Sequence, residues 1–144
     1  MRSLFVHRDE RGALAEIYRT DEVDHHVSLC YASWTEPGKS RGPHEHLVQS
    51  DFFGFLGPGV FRVYLWDTRV ESETYLNRMR FDVGEHTPGS ILVPPRVVHA
   101  YQCVSPHSGM VINLPDRLYK GIRRAQGVDE IRHEEREDSP FLLD

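Results

Sequence analysis

Apolar runs in this chain are short, and Gly or Pro breaks them at close intervals. That rhythm fits an all-β sandwich or barrel. The best strand is Gly59–Asp67, GVFRVYLWD, which is rich in β-branched and aromatic residues. Leu4–His7 and Ala13–Tyr18 flank the polar turn Arg8–Gly12 and read as a hairpin. Val27–Trp34 follows as a strand, with a turn at Glu36–Ser40. His44–Phe55 forms a second extended region. Arg78–Val83, Ser90–Val93, His99–Val104 and Met110–Leu114 complete the strand set. Gly127–Arg136 is the only helix candidate, and its apolar content is too low to bury much. The chain reads as one domain, 1–144. Residues 122–144 form a C-terminal tail that is either solvated or folded back over the barrel mouth through Pro140–Leu143.

A length of 144 residues is enough for one core. The net charge of -5, without a basic stripe, argues against nucleic acid as a partner. A few local arginines can still hold a phosphorylated small molecule. No stretch approaches the roughly 20 apolar residues of a membrane span. The N-terminal MRSLFVHRDERG turns charged too soon for a signal-peptide core. Cys30 and Cys103 sit among apolar residues and read as buried free thiols, from which a cytoplasmic location follows.

The chemistry concentrates in histidines. His44 and His46 are two apart, so a strand carries both on one face. His99 lies far downstream, after Pro94-Pro95-Arg96. Three imidazoles inside a barrel can bind a divalent metal or share proton transfers. The plainer alternative is a set of surface or hydrogen-bonded core histidines. The spacing favours the first. Gly38, five residues, His44-Glu45-His46, four residues and Asp51 are followed later by Pro94-x-Arg96-x-x-His99. This resembles the two-part cupin signature, with Arg96 where a glycine is usual. The resemblance implies a cupin-type double-stranded β-helix, a jelly-roll barrel. It also implies His44, His46, Asp51 and His99 as ligands if a metal is bound. The cofactor is then either none or one divalent ion, with Zn, Mn, Fe and Ni undistinguished.

A second set of motifs narrows the resemblance. Arg41-Gly42-Pro43-His44, Asp67-Thr68-Arg69, Ile91–Tyr101 and Asp9–Glu16 are together similar to the dTDP-4-dehydrorhamnose 3,5-epimerase family. That likeness implies a homodimer that epimerises a nucleotide-linked 4-keto-6-deoxy sugar beside its ketone. Such chemistry needs a base for the α-proton, a positive group for the enolate, and an acid on the opposite face. His44 matches the base, Glu134 or Glu135 the carboxylate that orients it, and Arg41 a substrate or phosphate contact. Tyr119 is the remaining catalytic candidate. Arg62, His99, Asn113 and Tyr101 join Arg41 as substrate-binding candidates.

The chain departs from the family pattern at three positions. Its glutamine becomes His46, its lysine falls on Asp51, and its tyrosine acid falls near Asn113. The first two changes turn a cationic site towards a metal site. A metal could then polarise the ketone, with Tyr64, Tyr101, Tyr119 or a tail glutamate as base. Three functions follow: a sugar-nucleotide epimerase or isomerase, a metal-dependent cupin of another reaction class, or a non-catalytic sugar-binding barrel. Elsewhere, Arg69 reads as an ion-pair partner of Asp67, and Phe52, Phe53, Phe55 and Phe61 as core. His25, His26, His86 and His107 read as solvated loop residues. Leu114–Gly121 reads as a lid or as a turn stabilised by Asp116.

Overall fold

The computed structural model describes residues 1–144. Its strands are β1 (Arg2–Ser3), β2 (Val6–Asp9), β3 (Gly12–Ala15), β4 (Tyr31–Thr35), β5 (Ser40–Glu45) and β6 (Asp51–Phe55). They continue as β7 (Val60–Asp67), β8 (Arg78–Gly84), β9 (Gly89–Val93), β10 (Val97–Cys103), β11 (Gly109–Asn113) and β12 (Ile131–Arg132). Two five-stranded antiparallel sheets result, ordered β1-β9-β6-β11-β4 and β12-β5-β10-β7-β8. The hairpin β2–β3 forms a small sheet of its own. This is the all-β jelly roll of a cupin.

The alternation along β7 shows how residue type sets the layers. Phe61 and Val63 point between the sheets and join Phe53, Phe55, Val83 and Ile91 in a core of 11 buried residues. Each fully buried side chain of this kind contributes about 1.5–3 kcal/mol. Tyr64 and Trp66 point the other way, onto Val98 and Ala100 of β10. Phe141 and Leu143 of the tail pack over that outer cluster. Arg62 shares the outward parity. Its guanidinium pairs with Asp82, the residue opposite it on β8, at 2.9 and 3.0 Å.

Three sequence expectations are corrected here. The extended region His44–Phe55 is not one strand. β5 ends at Glu45 and β6 starts at Asp51, in the opposite sheet. The turn between them is held by the Asp129 carboxylate, which accepts from the backbone N–H groups of Leu47, Val48 and Gln49. Gly127–Arg136 is not helical, because its polar groups are used elsewhere. Ile131 and Arg132 pair with Glu45 and His44 of β5, and the N–H groups of His133 and Glu134 donate to the Pro43 carbonyl. A single 3-10 turn at Ile122–Arg124 is the chain's only helical element. Both thiols are free, but Cys30 is exposed and only Cys103 is buried. Arg69 does clasp Asp67, at 2.7 and 2.8 Å.

Candidate active site

The site starts with a close approach of two strands. Gly42 of β5 has φ +79, and a Cβ there would overlap the His99 carbonyl oxygen. Only glycine lets β5 lie this near β10. The register then sets His44 directly opposite His99, and their rings are 4.4 Å apart. His46 follows immediately after β5, 5.8 Å from His44 and 6.0 Å from His99, centroid to centroid. One nitrogen from each of the three rings lies within 4.8 Å of the others. Phe53 and Tyr101 pack beneath as an aromatic floor.

Asp51 reaches this cluster from the facing sheet and is almost fully buried. Its Oδ2 lies 3.1 Å from His46 Nε2 and 3.6 Å from His99 Nε2. Its Oδ1 accepts from Gln49 Nε2 at 3.0 Å and from Asn113 Nδ2 at 2.8 Å. Burial pushes the Asp51 pKa up, but the hydrogen bonds from His46 and Asn113 and the charge of His46 overcome it. The net result is a carboxyl held down at about 2.

The protons on His46 follow from its partners. Nδ1 faces the Asp129 carbonyl oxygen and must donate to it. Nε2 lies between the ionised Asp51 carboxylate, which favours a proton there, and Gln49 Nε2 at 3.2 Å, which can donate to it. The carboxylate contact makes the imidazolium the favoured form. Burial opposes that charge, yet the hydrogen bond and charge of Asp51 raise its pKa overall. His99 is different. Its Nδ1 donates to the Val97 carbonyl at 3.1 Å, while its buried Nε2 has no hydrogen-bond partner. Burial and the nearby His44 push its pKa well down, so it stays neutral. His44 keeps a ring nitrogen, Nδ1, 3.8 Å from Glu134 and 4.0 Å from Glu130.

Above these groups opens a cavity of about 830 Å³. Residues Pro115–Gly121 form part of its mouth, so this segment does border the opening. Asp116 also anchors it, accepting from the Ser50 N–H at 2.9 Å. Arg41, Arg117 and Lys120 line the cavity, and none of them is in an ion pair. The Arg41 guanidinium is steadied by Thr35 Oγ1 at 3.2 Å and the Trp34 carbonyl at 2.9 Å.

Of the residues singled out in the sequence, His44, His46, Asp51, Arg41, Asn113, Tyr101 and Tyr119 line this cavity, with His99 just beneath. Arg62 does not, because it lies on the outer face with Asp82. Glu135 does not either. It pairs with Arg132 outside, and Glu134 takes the place beside His44. Tyr64 is on the far face, donating to the Asp144 carbonyl at 2.5 Å. His25 is not free in solvent. It contacts the Leu114 carbonyl at 2.7 Å and stacks on Phe52. Sequence reasoning missed Tyr31 and Asp129, which stand in no motif. Gln49, which falls on the glutamine of the family's Gln-x-Lys, and the tail glutamate Glu130 both line the cavity. His133 lies outside it, buried with its Nε2 2.9 Å from Glu45 Oε1.

The family model described as dTDP-4-dehydrorhamnose 3,5-epimerase matches residues 2–128. The chain belongs to this family. Among curated relatives, a probable low-salt glycan biosynthesis epimerase, Agl13, from Haloferax volcanii is 34% identical over 122 residues. That match covers 83% of this chain and 78% of the relative. The spore coat polysaccharide biosynthesis protein SpsL of Bacillus subtilis is 34% identical over 106 residues, covering 71% of this chain and 68% of its own. Among solved structures, a dTDP sugar isomerase from Desulfovibrio desulfuricans superposes with a TM-score of 0.81. It is 20% identical and covers 98% of this chain and 87% of its own, a likeness of fold.

The buried pair at the centre of the site makes a measurable prediction. Asp51→Asn removes the charge that favours a proton on His46, and the ring answers by losing that proton, so the cost is that of a weakened buried hydrogen-bond network, about 1–3 kcal/mol. Urea unfolding is expected to show that loss. The double variant with His46→Gln should lose less than the sum of the two single variants, because both residues belong to one network.

Proposed function

We propose that this cavity epimerises a nucleotide-activated 4-keto-6-deoxy sugar beside its ketone, with His44 as the base. The supporting observation is His44 at the cavity wall with the Glu134 and Glu130 carboxylates at its Nδ1. At 3.8 and 4.0 Å these carboxylates act through their charge, which stabilises the imidazolium that forms when the other nitrogen takes the α-proton. The enolate needs a positive charge nearby. The family resemblance puts that charge on a lysine, where this chain has Asp51. Here Asp51 pairs with His46, which leaves Arg41 of β5 as a cavity-lining cation in no ion pair. Arg41, Arg117 and Lys120 supply uncompensated charge for the diphosphate of a nucleotide. This reading also agrees with the description of the Haloferax relative as a glycan biosynthesis epimerase.

Proton exchange tests it. In deuterium oxide with dTDP- or GDP-linked 4-keto-6-deoxy sugars, NMR is expected to show loss of the α-proton signal. In His44→Ala that exchange should fall about 10²–10⁴-fold. Absence of exchange with every such sugar, or an unchanged rate in the variant, would overturn the assignment.

One observation favours a second reading, a metal-dependent site. His99 Nε2 is buried without a partner, and backbone carbonyls hold Nδ1 of both His46 and His99. Both Nε2 atoms are thereby directed inward, as in histidines poised to ligate. His44, His46, His99 and Asp51 would hold a divalent ion, which would supply Lewis acidity towards the ketone. That ion would replace the proton shared by His46 and Asp51. Elemental analysis of protein purified without a histidine tag separates the two readings. Stoichiometric metal, lost in His99→Ala, supports the second, and metal-free protein that still exchanges supports the first.

We further infer a homodimer formed through the β2–β3 hairpin, in a reducing, cytoplasmic setting. The hairpin bonds to neither barrel sheet and leaves Phe5 and Leu14 exposed, an apolar edge suited to a second copy. The two free cysteines suit such a compartment. No helix is long and apolar enough to cross a membrane. Light scattering is expected to give twice the 16.7 kDa chain mass for the wild type, and the single-chain mass for Leu14→Asp.

A further inference from the structure

The base accounts for one half of an epimerisation, and inversion also requires a proton from the other face. Asn113 stands where the family resemblance expects the tyrosine that gives it. Asn113 is not an acid, but its register partner across the β11–β4 pair is Tyr31. Asn113 Nδ2 donates to Tyr31 Oη at 2.9 Å.

That bond decides where the phenolic proton goes. The same amide nitrogen donates to Asp51 Oδ1 at 2.8 Å. Flipping the amide would set its oxygen against a carboxylate that cannot donate, so the nitrogen end is fixed. Tyr31 Oη is therefore an acceptor towards Asn113. Its own O–H is not used in that contact and is free to point into the cavity that Tyr31 lines. The other tyrosines at the cavity lack this arrangement. Tyr101 is buried with its hydroxyl 3.2 Å from Ser33 Oγ, and Tyr119, exposed to much the same degree as Tyr31, has no hydrogen bond to fix its hydroxyl.

The topology supplies the second requirement. Tyr31 lies on β4, in the first sheet, and His44 on β5, in the second. Both residues line the same cavity, one from each sheet. The charged groups that act on Tyr31 are Asp51 of β6, Glu130 of the tail and Arg41 of β5. Partial burial, helped by the two acids, raises the phenol pKa against the Asn113 hydrogen bond and Arg41. The group keeps its proton at neutral pH.

We propose that Tyr31 is the catalytic acid, delivering its Oη proton to the enolate carbon on the face opposite His44. This rests on His44 acting as the base. In the first step the substrate C–H bond breaks and its proton moves to His44. In the second the Tyr31 O–H bond breaks, the new C–H bond forms and a phenolate remains. His44 then releases its proton to solvent and Tyr31 takes one back. The enzyme is restored, and the only net change is inversion.

The test separates exchange from inversion. In deuterium oxide, Tyr31→Phe is expected to keep α-proton exchange within about tenfold of wild type, because His44 still removes and returns protons on its own face. Inverted product should fall about 10²–10⁴-fold. Inverted product at the wild-type rate, or equal loss of exchange and product, overturns the role of Tyr31. Failure of the wild type to exchange overturns the base assignment and this one with it. A second variant keeps the hydroxyl and the packing. 3-Fluorotyrosine placed at position 31 lowers the phenol pKa, so the basic limb of kcat/KM should move to lower pH. An unmoved limb overturns the proposal even if Tyr31→Phe fails to fold.

Discussion

A charged carboxylate in the middle of a barrel is expensive unless hydrogen bonds replace the water it loses, and Asp51 has three such partners. Gln49 and Asn113 donate to one oxygen and the His46 imidazolium to the other. An isolated buried carboxylate would neutralise itself by taking a proton. This one remains ionised because its donors come from three directions at once. The consequences run outward. The carboxylate keeps His46 charged, fixes which end of the Asn113 amide faces Tyr31, and sits near the bare Nε2 of His99. One side chain thus sets the protonation or orientation of most of the polar groups under the cavity.

The tail is the second structural condition. The Asp129 carboxylate closes the β5–β6 turn through three backbone N–H groups, and its carbonyl accepts a hydrogen bond from His46 Nδ1. Glu130 and Glu134 stand beside His44, and β12 runs along the edge of β5. His133 reaches Glu45, on the opposite face of β5 from the histidines. Phe141 and Leu143 then cover the outer aromatic cluster of the same sheet. The apolar end of the tail gives adhesion, and the acidic part supplies the site. Its acidic composition, unremarkable as a surface segment, makes sense once these carboxylates are seen to have basic partners.

How much of this was legible in the sequence depended on whether the signal was local. The strand rhythm found β7 through β11 to within a residue or two, because alternation and turn residues act over short spans. His44, His46, Asp51 and Arg41 stood out because motif spacing brings them near each other. Arg62 was misplaced because the inward face of β7 is decided by packing against β8 and β10. The split between β5 and β6 was hidden because Asp129, which makes the turn, lies far along the chain. Tyr31 carried no signal at all. Its role emerges only from the β4–β11 register, which no local pattern encodes. Fold and family were therefore readable in advance, while the protonation of the site was not.

The His46–Asp51 pair also limits how this site could change over evolutionary time. The family resemblance places a neutral glutamine and a lysine at these two positions. Reverting Asp51 alone to lysine would set a cation against the His46 imidazolium inside a buried pocket. Reverting His46 alone to glutamine would leave Asp51 without its strongest donor. Each single step passes through a charge imbalance that the barrel interior cannot screen. A change at one of the two positions therefore calls for a matching change at the other.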